Sequence, residues 1–336
     1  MRARALGASL VLGLVATPLV TGLVDARPVA DSNIAVLANS EYVDTGTIGD
    51  GGEVENVIDD LEAAGHTVTP FEDVSTEGLT TALDGAEVLV IPELENDDGG
   101  GDSATAAALS DDLGAEGKAV ITDFVDGGGR IVFFGSSDPS YLINDLFGFA
   151  VEGTDFCYDE GGEPVAAAVG DPCMLTAAAA DTEWADGPAT INYVNDSTGL
   201  LPGSLPAGST IAYDGQTGDG QLQAAGEDPP LVTDLAAVVS MPFGDGAVVF
   251  MGWDWYPDAE GELSAASAEE EADWAVVLDL GVSQPTVTAS SQPGKLTFTS
   301  DSPSTQPVFV VAVVDGESIT VTIPAKSTSG TADLPD

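Results

Sequence analysis

One segment decides the fold: Gly128-Gly129-Arg130-Ile131-Val132-Phe133-Phe134-Gly135. In it the short apolar run Ile131 to Phe134 is flanked by glycines. An apolar run of this length without polar alternation is typical of a strand buried on both faces of a sheet. Three earlier runs share the pattern: Ile34 to Leu37, Val68 to Phe71 and Val88 to Pro92. We therefore predict four neighbouring strands of one parallel sheet.

Helical periods separate these runs. In the first of them, Val54, Val57, Ile58 and Leu61 share one face, and Gly65 stands where a left-handed residue ends a helix. The helices are predicted over Glu53 to Ala64, over Ser75 to Leu83 with Ser75 as the N-cap, over Gly117 to Val125 as the end of a longer helix, and over Tyr141 to Phe147. This alternation predicts an α/β fold: a doubly wound, mostly parallel sheet with helices on both faces.

The stretch from Phe149 to about Gly208 differs in composition, being rich in Gly, Asp, Ala and Pro with weak periodicity. We interpret it as an insertion over the sheet, at about residues 149–208. It contains the only two cysteines, Cys157 and Cys173. In an exported protein such a pair predicts a disulfide, whereas a metal pair would need a closer C-x-x-C spacing and a neighbouring His.

The α/β pattern resumes after the insertion. Strands are predicted at Thr210 to Tyr213, Ala237 to Met241 and Ala247 to Gly252, the last two joined as a hairpin by a turn containing Asp245-Gly246. Glu269 to Leu280 is the last predicted helix, with Ala272, Val276 and Leu280 on its inner face and Trp274 on a flank. The α/β domain is thus expected to cover residues 31–281.

The C-terminal residues, 284–336, carry no helix signal. Strand-like runs occur at Thr286 to Thr288, Leu296 to Thr299, Val308 to Val314 and Ile319 to Ile323. We predict a small all-β, immunoglobulin-like module, and its length of about 50 residues is short for a complete sandwich.

The N-terminus has the features of a secretory signal peptide, predicted as residues 1–26. Arg2 and Arg4 precede the apolar run Leu6 to Val24, and Val24-Asp25-Ala26 offers small residues at a cleavage site. A retained anchor is the alternative, since the run is long enough to span a bilayer. Both interpretations predict a secreted or cell-surface protein with no later membrane segment.

The charge balance excludes one class of partner. The chain has 7 Lys+Arg against 57 Asp+Glu, a net charge of −50. Nucleic-acid binding without a further factor is excluded, because a phosphate backbone is held by clustered basic residues. The 43% hydrophobic content is enough for packed cores, so the acidity indicates a solvated surface that attracts cations rather than a disordered chain.

Three segments together resemble a known fold family: Val88 to Pro92, Gly128 to Gly135, and Val248-Val249-Phe250-Met251-Gly252-Trp253-Asp254-Trp255-Tyr256-Pro257-Asp258. The order of elements from Asn33 to Phe147 is similar to that of the class I glutamine amidotransferase-like, flavodoxin-like domains. The third segment is similar to that family's strand ending in Phe-His-Pro-Glu.

The resemblance implies a site that this chain does not complete. In the family a Cys on the turn after the fourth strand is activated by a His and a Glu. Here that turn offers Ser136 and Ser137, and the positions of the family's His and Glu are Tyr256 and Asp258. The only histidine, His66, opens the second strand and is expected at the amino end of the sheet, opposite the crevice. The chain therefore lacks the catalytic Cys and His, and we assign no catalytic residue.

Ligands of doubly wound sheets bind outside the carboxyl ends of the strands. The crevice candidates in those loops are Glu93, Ser136, Ser137, Asp254, Tyr256 and Asp258. For Ser136 the alternative is a helix cap. Trp253 and Trp255 could stack on sugar rings, and the alternative we favour is that they pack beneath the last helix and Trp274.

One acidic loop suggests a bound cation, and the sequence indicates no other cofactor. The loop after the third strand carries Glu95, Asp97, Asp98 and Asp102, oxygen ligands of the kind that Ca²⁺ prefers. A solvated loop without a metal is the competing interpretation, because acidic clusters arise by chance in so acidic a chain.

These observations favour a non-catalytic, exported binding or structural protein of the cell envelope, with a cell-surface glycan or an envelope protein as partner. Two alternatives stay open. One is a secreted carbohydrate-active hydrolase that uses Glu93, Glu95, Asp254 and Asp258 as its acids. The other is a cation-dependent adhesion fragment.

Overall fold

A computed structural model describes most of the chain. The described residues are 32–46, 52–95, 103–135, 140–155, 172–192, 198–216, 233–253, 255, 268–283, 287–292, 295–300, 308–314, 317–324 and 327–333. The signal-peptide prediction, at residues 1–26, lies outside them. Among the described residues no helix is both long and apolar enough to cross a membrane.

Five parallel strands form one half of the main sheet, in the order β2-β1-β3-β4-β11. They are β1 (Asn33–Leu37), β2 (Thr67–Phe71), β3 (Val88–Ile91), β4 (Arg130–Phe134) and β11 (Gly246–Met251). Apart from β2 at the sheet edge, these strands are almost wholly buried, as the uninterrupted apolar runs predict. The predicted α/β class is confirmed.

Five helices accompany the sheet: α1 (Glu53–Ala64), α2 (Thr76–Ala82), α3 (Ser103–Asp126), α4 (Ser140–Phe147) and α5 (Ala268–Val282). The two sequence-predicted caps are confirmed. Gly65 ends α1 with a left-handed φ of 103°, and the Ser75 hydroxyl accepts a hydrogen bond of 3.1 Å from the Gly78 N–H at the start of α2. Gly114 breaks α3 with a φ of 56°, a conformation that glycine adopts without steric cost.

The other half of the sheet is antiparallel, so the complete sheet is mixed. Beyond β11 the order continues β10-β9-β6-β7, with β8 paired to β10 and to β5. These strands are β5 (Gly153–Asp155), β6 (Pro172–Leu175), β7 (Thr190–Asn192), β8 (Thr198–Leu200), β9 (Thr210–Gln216) and β10 (Thr233–Phe243). We predicted that the insertion lies over the sheet. Its described part instead extends the sheet, because β6 forms backbone hydrogen bonds with β9.

The hairpin between β10 and β11 is confirmed. Phe243 pairs with Gly246, so Gly244 and Asp245 are the two turn residues. Gly244 has a φ of 58°, and a side chain at this position would collide with Asp126.

The predicted inner face of α5 is right at Leu280, which packs against the core, and wrong at Val276. Trp274, Val277 and Leu278 are the buried residues, whereas Val276 is 44% exposed. The reason is that Trp274 stacks on Trp253, with ring centroids 5.2 Å apart, and this large buried ring sets the rotation of the helix.

The C-terminal residues form an all-β module, as predicted. One sheet is antiparallel β12 (Val287–Gln292), β13 (Lys295–Ser300) and β16 (Ser329–Asp333), and the other is the hairpin of β14 (Val308–Val314) and β15 (Glu317–Ile323). Val321 and Ile323 are buried. The sequence did not predict β16, and the immunoglobulin-like identity of the module stays a prediction.

The predicted disulfide also stays a prediction. Cys173 lies in β6, paired with Ile191 of β7. Cys157 lies outside the described residues.

Candidate ligand crevice

The carboxyl ends of β4 and β11 meet at one edge of the sheet, where a doubly wound fold binds its ligands. The strands run in register, with Phe134 beside Met251, and the Gly135 N–H donates to the Met251 carbonyl oxygen at 3.1 Å. Gly135 begins the turn at which the amidotransferase-like resemblance would place a nucleophile. The residues around Gly135 therefore decide what this site can do.

Thr198 is hydrogen-bonded to both strand ends. Its N–H lies 3.3 Å from the Gly135 oxygen and 3.2 Å from the Gly252 oxygen, and its hydroxyl donates to the Gly135 oxygen at 2.7 Å. Thr198 is 1% exposed, and a side chain at Gly252 would collide with the Thr198 carbonyl group. A residue of the insertion thus bridges the ends of the paired strands β4 and β11, which nothing in the local sequence predicts.

An aromatic cluster adjoins this edge. The Trp255 ring lies 4.8 Å from the Phe134 ring and 4.0 Å from the Trp253 ring, and Trp253 in turn stacks on Trp274. Trp253 and Trp255 are each 3% exposed. The favoured prediction of packing against α5 is confirmed, and rings this buried do not offer a face to a sugar.

Trp255 is also hydrogen-bonded to α1. Its indole N–H donates to Asp60 Oδ2 at 2.7 Å, and its carbonyl oxygen accepts from Asn56 Nδ2 at 3.1 Å. Burial raises the pKa of Asp60 above its ordinary value, although the Trp255 bond acts in the opposite direction. These bonds tie the segment after β11 to a helix that follows β1.

Two buried carboxylates lie on neighbouring loops of the same edge. Glu93 follows β3 and is 2% exposed, and Glu53 is the first residue of α1, also 2% exposed. Because β1 and β3 are adjacent, both loops open on the crevice side of the sheet. At this exposure both carboxylates lie beneath the surface of the edge, as the rings of Trp253 and Trp255 do.

The loop after β1 is fixed by its own polar groups. The Tyr42 hydroxyl donates to Asp112 Oδ2 at 2.6 Å, and burial together with this bond raises the pKa of Tyr42 far above its ordinary value, so the phenol stays neutral. Asn39 donates to the Glu72 carbonyl oxygen at 2.9 Å and accepts from the Glu41 N–H at 2.9 Å. The wall of the crevice on this side is built by contacts within the chain.

His66 lies at the opposite end of the sheet, as predicted. It directly precedes β2, its Nδ1 accepts from the Ser32 N–H at 3.2 Å, and its Nε2 lies 3.0 Å from Asp279 Oδ1. Both ring nitrogens are used in contacts that join β1, β2 and α5. The imidazole therefore cannot serve as a base at Gly135.

The remaining sequence candidates fall outside the described residues. They are the crevice residues Ser136, Ser137, Asp254, Tyr256 and Asp258 and the cation ligands Asp97, Asp98 and Asp102. Of the four cation candidates only Glu95 is described. Within the described ranges no group of three or more His, Cys, Asp or Glu side chains is placed to hold a metal ion.

No model of a protein family matches the sequence, and no curated protein matches it. Solved structures are similar at low identity. A ThuA-like protein from Bacteroides uniformis ATCC 8492 is 9% identical with a TM-score of 0.43, over 77% of this chain and 94% of that one. A cytoplasmic protein from Salmonella typhimurium LT2 is 12% identical with a TM-score of 0.45, over 75% of this chain and 100% of that one.

A third similar structure is a much longer enzyme. A β-galactosidase from Bacillus circulans sp. alkalophilus is 11% identical with a TM-score of 0.40, over 90% of this chain and 41% of that one. The chain thus spans less than half the length of this enzyme.

Proposed function

We propose that this chain is an exported, acidic and non-catalytic binding or structural protein of the cell envelope, built on an amidotransferase-like α/β domain. The observation that carries the proposal is the position of Thr198. A nucleophile on the turn after β4 would need a base beside Gly135, and the described side chain that hydrogen-bonds to Gly135 is that of Thr198, whose hydroxyl is not a base.

The use of the only histidine supports the same proposal. His66 is held between Ser32 and Asp279 at the amino end of the sheet, so the crevice has no imidazole for proton transfer. Serine hydroxyls beside carboxylates alone are poor nucleophiles. Binding without turnover is the activity that such a crevice supports best.

The proposed partner is a cell-surface glycan or an envelope protein. The sequence candidates Ser136, Asp254 and Asp258 carry the hydroxyl and carboxylate groups that would exchange hydrogen bonds with such a ligand. The net charge of −50 favours partners and media that supply cations and disfavours polyanions. The signal-peptide pattern supports the proposed location, and an immunoglobulin-like C-terminal module suits an envelope protein.

The experiment measures binding and turnover together on a panel of cell-surface glycans. We expect the purified protein to bind at least one glycan without releasing a reducing end, and Asp254→Asn to weaken that binding. Asp84→Asn is the matched control, because Asp84 is exposed on the turn before β3, at the opposite end of the sheet. It should bind as the natural chain does.

Product release would contradict the proposal. Turnover that Asp254→Asn or Glu93→Gln abolishes, with Asp84→Asn active, would show the carbohydrate-active hydrolase instead. Binding that requires Ca²⁺ and is lost in Asp97→Asn would show the cation-dependent adhesion alternative. A chain that binds no glycan but captures an envelope protein would retain the binding function and change its partner.

A further inference from the structure

The two strands of the C-terminal hairpin differ in pattern, and this difference concerns a surface outside the proposed crevice. In β15, Ser318, Thr320 and Thr322 alternate with Ile319, Val321 and Ile323. Val321 and Ile323 are buried, and Thr322 is exposed. This is the pattern of a strand with one covered face and one solvated face.

β14 does not share this alternation, because all seven of its residues, Val308-Phe309-Val310-Val311-Ala312-Val313-Val314, are apolar. The register pairs Phe309 with Thr322, Val311 with Thr320 and Val313 with Ser318. These three β14 positions therefore belong to the same outer face as exposed Thr322. A strand that is apolar on both faces is typical of one covered on both sides.

Among the described strands, β14 is an edge strand of a two-stranded sheet. Within the described residues it pairs only with β15, while β15 lies against β13 and β16. Edge strands of natural proteins usually carry a charge, a proline or a bulge that prevents further pairing. From Val308 to Val314 there is neither a charge nor a proline, and the pairing with β15 is regular throughout.

We propose that β14 pairs antiparallel with β14 of a second copy of this chain, joining two hairpins into one four-stranded sheet. A full overlap of the seven residues places Val311 opposite the partner's Val311 and Phe309 opposite the partner's Val313. Aromatic and β-branched residues in opposed positions are favourable cross-strand pairs. The contact is self-complementary, as a two-fold interface requires.

The charge distribution supports a second copy as the occupant. Copies with a net charge of −50 repel each other, so they can approach only where the charge is low. Residues 284–336 contain five acidic residues and two lysines, a net charge of −3, and residues 302–314 contain no charge. This module is the part of the molecule at which two like-charged copies meet with least repulsion.

The test is the oligomeric state in solution, measured by sedimentation over a range of protein concentrations. We expect a monomer–dimer equilibrium that strengthens between about 0.1 M and about 1 M NaCl, where the Debye length falls from about 10 Å to about 3 Å. Val311→Lys sets two like charges opposite each other and should weaken the dimer by roughly tenfold. Thr322→Lys, on the same outer face but on β15, should dimerise as the natural chain does.

Cysteine variants keep the test decisive if Val311→Lys fails to fold. Val311→Cys should give an intermolecular disulfide under mild oxidation, because the proposal sets position 311 of one copy opposite position 311 of the other. Thr322→Cys should not. A natural chain that stays monomeric at every concentration and salt would overturn the proposal, and so would equal crosslinking of the two cysteine variants. A dimer that Val311→Lys leaves intact would overturn it as well.

Discussion

The Thr198 hydroxyl donates a hydrogen bond of 2.7 Å to the carbonyl oxygen of Gly135, so the insertion is bonded directly to the turn after β4. Thr198→Val keeps the shape of the side chain and removes the donor. Because the Gly135 oxygen also accepts from the Thr198 N–H, we expect a loss of about 1 kcal/mol in the free energy of unfolding, measured with urea.

An exposed threonine provides the control for this prediction. The Thr80 hydroxyl donates to the Thr76 carbonyl oxygen at 2.6 Å within α2, at an exposed position. Thr80→Val should change the free energy of unfolding by about 0.5 kcal/mol or less, as is usual for surface substitutions. Equal effects of the two substitutions would show that the bond from the Thr198 hydroxyl to Gly135 stabilises the fold no more than an exposed bond does.

Arg130 and Glu183 form a buried ion pair of 2.9 Å at the amino end of the sheet. The guanidinium also donates to the Gly281 carbonyl oxygen at 2.7 Å, so one side chain joins β4, α5 and the insertion. Glu183→Gln leaves this guanidinium buried without its counter-charge. We expect it to lower the free energy of unfolding by about 3 kcal/mol or more, measured by urea denaturation.

The second described ion pair, Lys118 with Asp145 at 2.6 Å, is partly exposed and serves as the comparison. The Lys118 and Ser110 bonds lower the pKa of Asp145, but water screens the attraction. Lys118→Met should cost about 1 kcal/mol or less. If Glu183→Gln and Lys118→Met lower the free energy of unfolding by the same amount, burial does not distinguish the two ion pairs.

The parallel half of the fold could be predicted because a strand buried on both faces has a continuous apolar sequence, as in Arg130–Phe134. The bounds of α1 followed equally from the spacing of Val54, Val57 and Leu61 and from Gly65. In these elements local sequence and tertiary burial agree.

The missed features depend on tertiary contacts that leave no periodic pattern. β16 has the sequence Ser-Gly-Thr-Ala-Asp, which has low strand propensity and is held by pairing with β13. The orientation of α5 follows from the stacking of Trp274 on Trp253, which the helical period alone does not indicate. At the crevice, the sequence was enough to predict that Glu93 follows β3. The contact of Thr198 with Gly135 could not be predicted, because it depends on the pairing of β8 with β10.

His66 should matter for stability and not for ligand binding. His66→Phe leaves the buried Ser32 N–H without its acceptor and removes the Asp279 contact of 3.0 Å, so we expect a loss of about 2 kcal/mol in the free energy of unfolding. Ser283→Ala removes only a partly exposed hydroxyl from the same Asp279 oxygen and should cost less. Calorimetry at a temperature where both variants are folded should show unchanged glycan affinity. A loss of affinity in His66→Phe alone would place the imidazole in the binding function after all.

Asp60 gives the fold a stability that depends on pH. Burial raises its pKa in the folded chain above the ordinary value of 3.8, so the folded state binds a proton more readily than the unfolded state. The stabilisation by this group is complete when the pH is below the ordinary pKa. It is lost as the pH rises through the raised pKa of the folded chain. Asp60→Asn keeps an acceptor for the Trp255 indole and cannot ionise.

The difference in unfolding free energy between Asp60→Asn and the natural chain, measured with urea from about pH 3 to pH 7, isolates this titration from that of the other acids. We expect the difference to grow in favour of Asp60→Asn as the pH rises, and then to become constant. Asp59→Asn, at the exposed neighbouring position, is the control and should give a flatter difference. A difference that moves against Asp60→Asn with rising pH would mean that the Trp255 hydrogen bond outweighs burial, and that the carboxylate at Asp60 stabilises the crevice in its ionised form.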